Sequence, residues 1–138
     1  MPVFPRTPLI RLDQSLVVTE FGAQRELFAS KMGSIAKVVQ SSRGVRSLGS
    51  AALNLCYVAK GCLDLYFEAG LHIWDMAAAV LVLQESGGMV CGYQGEALDL
   101  CLRKVVAARA VTAGNEEQRL AVVKSLMALL DGIEVGRD

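Results

Sequence analysis

The stretch FEAGLHIWDMAAAVLVLQESGG, residues 67–88, decides how this chain folds. Its first four residues, FEAG, complete a segment over residues 63–70 in which apolar and polar side chains alternate. This alternation predicts a half-buried strand. Residues 73–86 are mostly apolar and are followed by Gly87-Gly88, a pattern that predicts a helix closed by a glycine turn. A strand that passes into a helix through the short turn AGLHI is typical of a layered α/β fold.

Strands and helices also alternate on both sides of this stretch. Apolar or β-branched runs bounded by glycine predict short strands, and apolar residues at helical spacing predict amphipathic helices. The strands are predicted at 15–22, 44–49, 89–93 and 104–110, and the helices at 23–40, at 51–59 with a stop near Gly61, and at 115–132. Residues 1–14 contain all three prolines and are predicted to be an extended lead-in. We therefore expect one α/β domain over residues 15–138.

The composition is that of a small globular protein. Apolar residues make up 53% of the 138 residues and charged residues 20%, which argues against disorder. The 14 basic and 14 acidic residues cancel and are scattered, so neither a nucleic acid nor a membrane is an expected partner. The longest apolar run, Met76–Leu83, is far shorter than the ~18 residues that a membrane span needs. The four cysteines lack metal-ligand spacing, so we expect buried free thiols in a cytoplasmic protein.

Two carboxylates flank the turn between the predicted strand and the predicted helix. Glu68 stands at the strand end, and Asp75 stands in the first turn of the helix. Both side chains are expected to face the crevice in which open α/β sheets bind ligands, where carboxylate oxygens suit Mg²⁺ and sugar hydroxyls. The residues alone leave two alternatives open. Asp75 is either a helix cap stabilised by the macrodipole or a metal ligand, and Glu68 is either a solvated strand residue or a ligand-binding group.

A second candidate site is the turn in RSLGSAALN, residues 46–54. Gly49 allows the backbone to approach a ligand closely, and the free N–H groups at the start of the next helix favour an oxygen-rich or anionic ligand. The alternative is an ordinary glycine turn before a helix that Ser50 caps.

The single histidine lies in the turn that joins the predicted strand and helix, and the single tryptophan lies in the first turn of that helix. His72 has no partner at catalytic spacing, which favours a structural role over that of a general base. Trp74 is predicted to pack in the core and to fix the position of Asp75.

These motifs resemble those of the inositol monophosphatase family, a family of Mg²⁺-dependent and lithium-sensitive phosphatases. The segment WDMAAAVLVLQESGG, residues 74–88, is similar to the C-terminal signature of that family. The segments SLVVTEFG, RSLGSAALNLCYVAKGCLDLYFEAGLHIWD and RKVVAARA are similar to other family segments in the same order. The resemblance extends from about Ser15 to about Leu130 and implies a sandwich in which a mixed sheet is flanked by helices.

The resemblance also implies roles for residues at matching positions. Asp75 would be a metal ligand, Glu68 would bind an inositol hydroxyl, and the turn Gly49–Ala51 would contact the substrate. Ser50 stands where the family usually has threonine, so a hydroxyl is kept, whereas Ala78 stands where glycine is usual. The implied reaction is hydrolysis of inositol monophosphate to inositol and phosphate, with Mg²⁺ as cofactor and lithium as inhibitor.

The sequence departs from the family pattern in the motifs that the N-terminal half of a family enzyme carries. In the family, that half carries a GEE-like glutamate and a DPLDGT-like motif, which supply most metal ligands and the phosphate-binding helix start. Neither motif occurs in this sequence. We therefore expect the C-terminal half of such an enzyme, a truncated form that is inactive alone, because one aspartate and water make a weak Mg²⁺ site. Family enzymes are generally homodimers, so the alternative is a non-catalytic form that associates with a full-length subunit.

Overall fold

The computed structural model describes residues 7–22 and 24–138, and its elements alternate in the predicted order. Most elements are shorter than the predicted ranges. The strands in these ranges are β1 Leu16–Val18, β2 Gly44–Arg46, β3 Leu65–Ala69, β4 Met89–Cys91 and β5 Lys104–Ala108. The α-helices are α1 Phe28–Ser41, α2 Ala51–Lys60, α3 Ile73–Glu85 and α4 Glu116–Met127. Short 3₁₀ turns occupy Leu12–Gln14, Arg25–Leu27 and Leu100–Leu102.

The strands of the described ranges form one mixed sheet in the order β2-β1-β3-β5-β4. β1 pairs in parallel with both β2 and β3, whereas β5 pairs antiparallel with β3 and with β4. The expected mixed sheet is therefore confirmed. Because β1, β2 and β3 run in the same direction, their carboxyl ends meet at one edge, where open α/β sheets bind ligands.

Helices cover both faces of the sheet and create two hydrophobic cores. One core lies under α1 and α4 and includes Val17, Val38, Leu65, Phe67, Val106 and Leu126. The other lies under α2 and α3 and includes Val18, Leu55, Tyr66, Met76, Leu83 and Val105. Successive strand residues alternate between the two cores, as the geometry of a β-strand requires. The predicted α/β sandwich is confirmed, and none of the described helices has the length and apolar character that a bilayer crossing needs.

The prediction that β3 is half-buried is wrong. All five of its residues are buried, including Tyr66 at 0% and Glu68 at 6% exposure. β3 is the central strand of the sheet, so helices cover both of its faces and neither face meets solvent. Alternating polarity does not indicate exposure here, because the Tyr66 hydroxyl donates a hydrogen bond to Glu68 and the two polar groups satisfy each other.

The predicted lead-in is packed against the domain over the part that the structure describes. Residues 1–6 lie outside the described residues, and Leu12–Gln14 form a 3₁₀ turn rather than an extended segment. Leu9 is 3% exposed and belongs to the core under α1 and α4. The Arg109 guanidinium donates a hydrogen bond of 2.8 Å to the carbonyl of Thr7, which ties this segment to the end of β5.

The four cysteines are free, but they are not all buried as predicted. Cys91 is buried, Cys56 and Cys101 are partly buried, and Cys62 is exposed. Cys62 follows Gly61, the left-handed residue that ends α2, and it therefore lies in a turn outside the core.

Candidate functional site

An open cleft of about 590 Å³ lies at the carboxyl ends of β1, β2 and β3. Each of these strands leads into a segment that lines the cleft, and the first turn of α3 lines it as well. The described residues of the lining are Glu20, Gly22, Gly49, Ser50, Ala51, Ala52, Glu68, Leu71, Trp74 and Asp75. The structure therefore brings the predicted site residues Gly49–Ala51, Glu68 and Asp75 to one cleft.

The turn Gly49–Ala51 joins β2 to α2. Gly49 has a φ of 81°, a left-handed conformation that favours glycine. The hydroxyl oxygen of Ser50 accepts a hydrogen bond of 3.3 Å from the Leu53 amide, so the predicted helix cap is confirmed. The first amides of an α-helix have no acceptor within the helix, and those of α2 are therefore suited to an oxygen-rich ligand in the cleft.

Glu20 is a residue of the cleft that the sequence analysis did not single out. Its Oε1 accepts hydrogen bonds from the Leu48 amide at 2.7 Å, the Gly49 amide at 2.8 Å and Asn54 Nδ2 at 2.9 Å. The Ser47 hydroxyl donates to its Oε2. Burial raises the pKa of Glu20, but these hydrogen bonds outweigh burial and hold the pKa below its ordinary value. The available signal was its place near the end of the predicted strand 15–22, at the edge where the other site segments begin.

Glu68 is a buried carboxyl group near the end of β3. Burial raises its pKa to about 7, although the hydrogen bond from Tyr66 and the charge of Lys31 both act to lower it. The charges of Glu20 and Asp75 raise it further. A carboxyl group with this pKa occurs in both protonation states near neutral pH, so it can donate or accept a hydrogen bond with a ligand hydroxyl.

A second and much smaller cavity lies behind Glu68, and its lining includes Lys31, Ser34, Thr19 and Tyr93. Lys31 is only 5% exposed although it belongs to α1. Burial lowers the pKa of its ammonium group, while the charges of Glu68 and Glu26 raise it. Lys31 therefore contributes a buried positive charge near Glu68, and its position depends on how α1 packs.

Asp75 caps α3 and also lines the cleft. Its Oδ2 accepts a hydrogen bond of 2.9 Å from the His72 amide, as a capping carboxylate does. The same side chain is part of the cleft lining. Capping and ligand binding are compatible, because the cap engages Oδ2 and leaves Oδ1 outside that bond.

His72 has a carboxylate partner that its surroundings in the sequence did not reveal. Its Nδ1 lies 2.7 Å from Oδ1 of Asp138, which is 66 residues away in the sequence, and its Nε2 lies 3.3 Å from Nη2 of Arg103. Because arginine only donates hydrogen bonds, the neutral tautomer with hydrogen on Nδ1 satisfies both contacts. Asp138 Oδ2 also accepts a hydrogen bond of 2.9 Å from the Ile73 amide. Both ring nitrogens are engaged, which agrees with a structural role for His72.

The prediction that Trp74 packs in the core is wrong. The residue is 77% exposed and stacks on His72, with the ring centroids 4.6 Å apart and an angle of 8° between the planes. Core contacts of α3 come instead from Met76, Ala79 and Leu83. A helix that is apolar on nearly every side does not reveal from its sequence which side faces the sheet.

The cleft is acidic, since its described lining contains Glu20, Glu68 and Asp75 but no lysine or arginine. Hard oxygen donors of this kind suit Mg²⁺. Over residues 7–22 and 24–138, however, no group of three or more His, Cys, Asp or Glu side chains could hold a metal ion. These residues therefore do not make a complete Mg²⁺ site by themselves.

Comparisons with known sequences agree with this arrangement. The sequence model of the inositol monophosphatase family matches residues 3–128. Inositol monophosphatase 2 of Rattus norvegicus is 37% identical over 132 residues, which cover 92% of this chain and 42% of the relative. Inositol monophosphatase 1 of Mus musculus is 38% identical over 106 residues, which cover 73% of this chain and 38% of the relative.

Solved structures show the same likeness. An inositol monophosphatase from an Anabaena (Nostoc) species matches 91% of this chain and 46% of its own, with a TM-score of 0.77 and 28% identity. Mycobacterium tuberculosis SuhB matches 91% of this chain and 47% of its own, with a TM-score of 0.67 and 35% identity. This chain thus spans less than half the length of these relatives, and it belongs to the inositol monophosphatase family.

Proposed function

We propose that this chain forms the inositol-binding side of a phosphatase that hydrolyses inositol monophosphate to inositol and phosphate. The observation that carries the proposal is the convergence of Glu68, Asp75 and the turn Gly49–Ala51 on one cleft. Family membership supports the same substrate class. A cytoplasmic location remains a prediction that accompanies this function.

In this proposal Glu68 and the turn Gly49–Ala51 orient the inositol ring. The carboxyl group of Glu68 is held by Tyr66 and bonds one ring hydroxyl. A wrongly placed hydroxyl would leave Oε1, the Glu68 oxygen that Tyr66 does not engage, without a partner in the closed site, at a cost of about 1–3 kcal/mol, and this cost discriminates between polyols. The short side chains of the turn allow the ring to approach the first amides of α2, which bind a second oxygen.

Asp75 supplies one ligand of a Mg²⁺ ion in the same proposal. The carboxylates of Glu20, Glu68 and Asp75 would repel a phosphate dianion, so substrate binding requires a cation in the acidic cleft. When bound, Mg²⁺ neutralises phosphate charge and activates water. Lithium is the expected inhibitor of the whole enzyme, as the family resemblance implies.

We propose further that the chain alone has little or no phosphatase activity. The described residues do not complete a metal site, and the curated relatives extend well beyond the matched segment. Phosphate-monoester hydrolysis has one of the highest uncatalysed barriers known, so a partial site leaves the reaction too slow to detect. The remaining ligands would come from the half of a family enzyme that this chain does not span.

Amide NMR of the chain tests the binding site without requiring turnover. Inositol 1-phosphate with millimolar Mg²⁺ is expected to shift the amide signals of Ser50, Ala51 and Glu68. The shifts are expected to disappear in Asp75→Asn. Glu85→Gln, an exposed change at the opposite end of α3, serves as the matched control and keeps them. Unaltered signals in the unmodified chain would contradict the proposed function.

A second candidate function is association with a full-length subunit of the same family. The observation that favours it is the exposure of large apolar side chains on the surfaces of α2 and α3, namely Leu53, Tyr57, Trp74, Leu81 and Val82. A helix as apolar as α3 is normally buried on more than one side, and exposed patches of this kind mark interaction sites. Since the relatives extend beyond the matched segment, we propose that the remaining half of such a subunit covers this surface.

Sedimentation of the chain with full-length Rattus norvegicus inositol monophosphatase 2 tests this association. We expect a mixed complex that is lost when Leu81 and Val82 are both changed to glutamate. Leu120→Glu on α4 is the control and keeps the complex. Self-association of the chain without a mixed complex, or a mixed complex that survives the double change, would contradict the proposal.

A further inference from the structure

We infer that Glu20 is a positioning residue that holds the turn Gly49–Ala51 in the shape that binds the inositol ring. The inference rests on the proposed function, which assigns this turn to substrate. It concerns the turn's geometry, and it gives Glu20 no contact with either substrate or metal.

The hydrogen bonds of Glu20 connect β1 to the loop between β2 and α2. Oε1 accepts from the amides of Leu48 and Gly49 at 2.7 and 2.8 Å. It also accepts from Asn54 Nδ2 at 2.9 Å, and Asn54 is a fully buried residue of α2. The Ser47 hydroxyl donates to Oε2. One carboxylate therefore fixes both the loop before the turn and the first turns of the helix after it.

This bonding pattern favours Glu20 as an anchor, since three of its hydrogen bonds converge on one oxygen. Three donors already occupy Oε1, which leaves that oxygen little capacity for a metal ion or a substrate hydroxyl. Hydrogen bonds to an ionised carboxylate are stronger than neutral ones, so the assembly resists rearrangement when a ligand enters.

The Ser50 cap orders the start of the helix, whereas the N-terminal side of the turn depends on Glu20. β2 is a three-residue strand, and within the described part of the chain it is an edge strand that pairs with β1 alone. Gly49 has a φ of 81°, and a Cβ built at this position would meet no atom within 4 Å. A glycine in open space is conformationally free, so the Leu48 and Gly49 amides keep their direction through Glu20.

Hydrogen exchange and ligand binding together test the inference. In Glu20→Gln, the Leu48 and Gly49 amides are expected to exchange about tenfold faster, because the neutral glutamine oxygen is a weaker acceptor than the carboxylate. Binding of inositol 1-phosphate with Mg²⁺, followed by the amide shifts of Ser50 and Ala51, is expected to weaken by at least about tenfold. Glu117→Gln, an exposed change on α4, is the control that alters neither measurement.

The outcomes separate this inference from the proposed function. Unchanged exchange at Leu48 and Gly49, or faster exchange with unaltered binding, would overturn the inference. Absence of binding in the unmodified chain would instead overturn the proposed function. If Glu20→Gln does not fold, Ser47→Ala takes its place, because it removes the hydroxyl that donates to Oε2 and is expected to speed exchange at Gly49 to a smaller degree.

Discussion

The Tyr66 hydroxyl lies 2.5 Å from Oε2 of Glu68, two residues further along β3. Side chains two positions apart project from the same face of a strand, so this pair connects the core under α2 and α3 with the cleft. Burial and the charge of Glu68 raise the pKa of Tyr66 well above its usual value. The hydroxyl therefore stays protonated and donates to Glu68 over the physiological pH range.

Tyr66→Phe is expected to raise the pKa of Glu68 above 7. The Tyr66 hydroxyl stabilises the ionised carboxylate, and phenylalanine cannot make this hydrogen bond. Loss of this buried bond is also expected to lower the free energy of unfolding by about 1–3 kcal/mol. The measurement is a ¹³C NMR titration of the glutamate carboxyl carbons. Tyr57→Phe, on the exposed side of α2, is the control. A Glu68 midpoint that stays constant or falls would refute the proposed coupling.

Glu68 is expected to make the chain less stable as pH rises through about 7. Its pKa is about 7 when folded and near 4.5 ordinarily, so the folded state binds more protons between these values. The stabilisation that protonation provides is complete below pH 4.5 and is lost as pH rises through the folded pKa, a change of at most about 3 kcal/mol.

Urea denaturation of the chain and of Glu68→Gln from about pH 5 to about pH 8 measures this contribution. The glutamine variant is expected to show a flatter profile across that range. Glu85→Gln is expected to keep the profile of the unmodified chain. Parallel loss of stability in the unmodified chain and in Glu68→Gln would show that other groups cause the dependence.

Lys31→Met is expected to raise the pKa of Glu68, because it removes the buried positive charge that acts to lower that pKa. Methionine has a similar length and suits a buried position, so the fold should be retained. The carboxyl-carbon titration applies again, with the exposed change Lys124→Met as control. An equal shift in the pKa of Glu68 from both lysine changes would indicate that long-range charge, and not the nearby charge of Lys31, acts on Glu68.

Gly88→Ala is expected to lower the free energy of unfolding by about 1–3 kcal/mol through overpacking. A Cβ at this position would lie 2.3 Å from Cδ1 of Leu83 and 3.0 Å from the carbonyl oxygen of Ala108. Gly132→Ala is the matched control, since a Cβ there would meet no atom within 4 Å. The measurement is thermal unfolding of the two variants. Equal unfolding midpoints would contradict the close packing of Gly88 against Leu83 and Ala108.

Local patterns sufficed to predict most of the fold. Apolar spacing and glycine turns gave the order of strands and helices, and Ser50 and Gly61 marked the ends of α2 because capping depends on neighbouring residues. The burial of β3 was missed because it depends on the central place of this strand in the sheet. The exposure of Trp74 was missed because the phase of an apolar helix is set by its partners.

The site was predictable where its residues lie close together in the sequence. Glu68 and Asp75 flank one turn, so their shared cleft followed from the strand-to-helix connection. Glu20 reaches the Gly49 amide across 29 residues, and His72 reaches Asp138 across 66. Contacts over such separations depend on the tertiary fold, and a single sequence carries no periodic signal for them.

Phosphate release from inositol 1-phosphate in millimolar Mg²⁺, measured for the chain and for Asp75→Asn, tests most directly the claim that this chain holds one side of a phosphatase site. We expect no release above the uncatalysed background from either protein. Release by the unmodified chain that disappears in Asp75→Asn would contradict it, because the chain would then assemble a working metal site by itself.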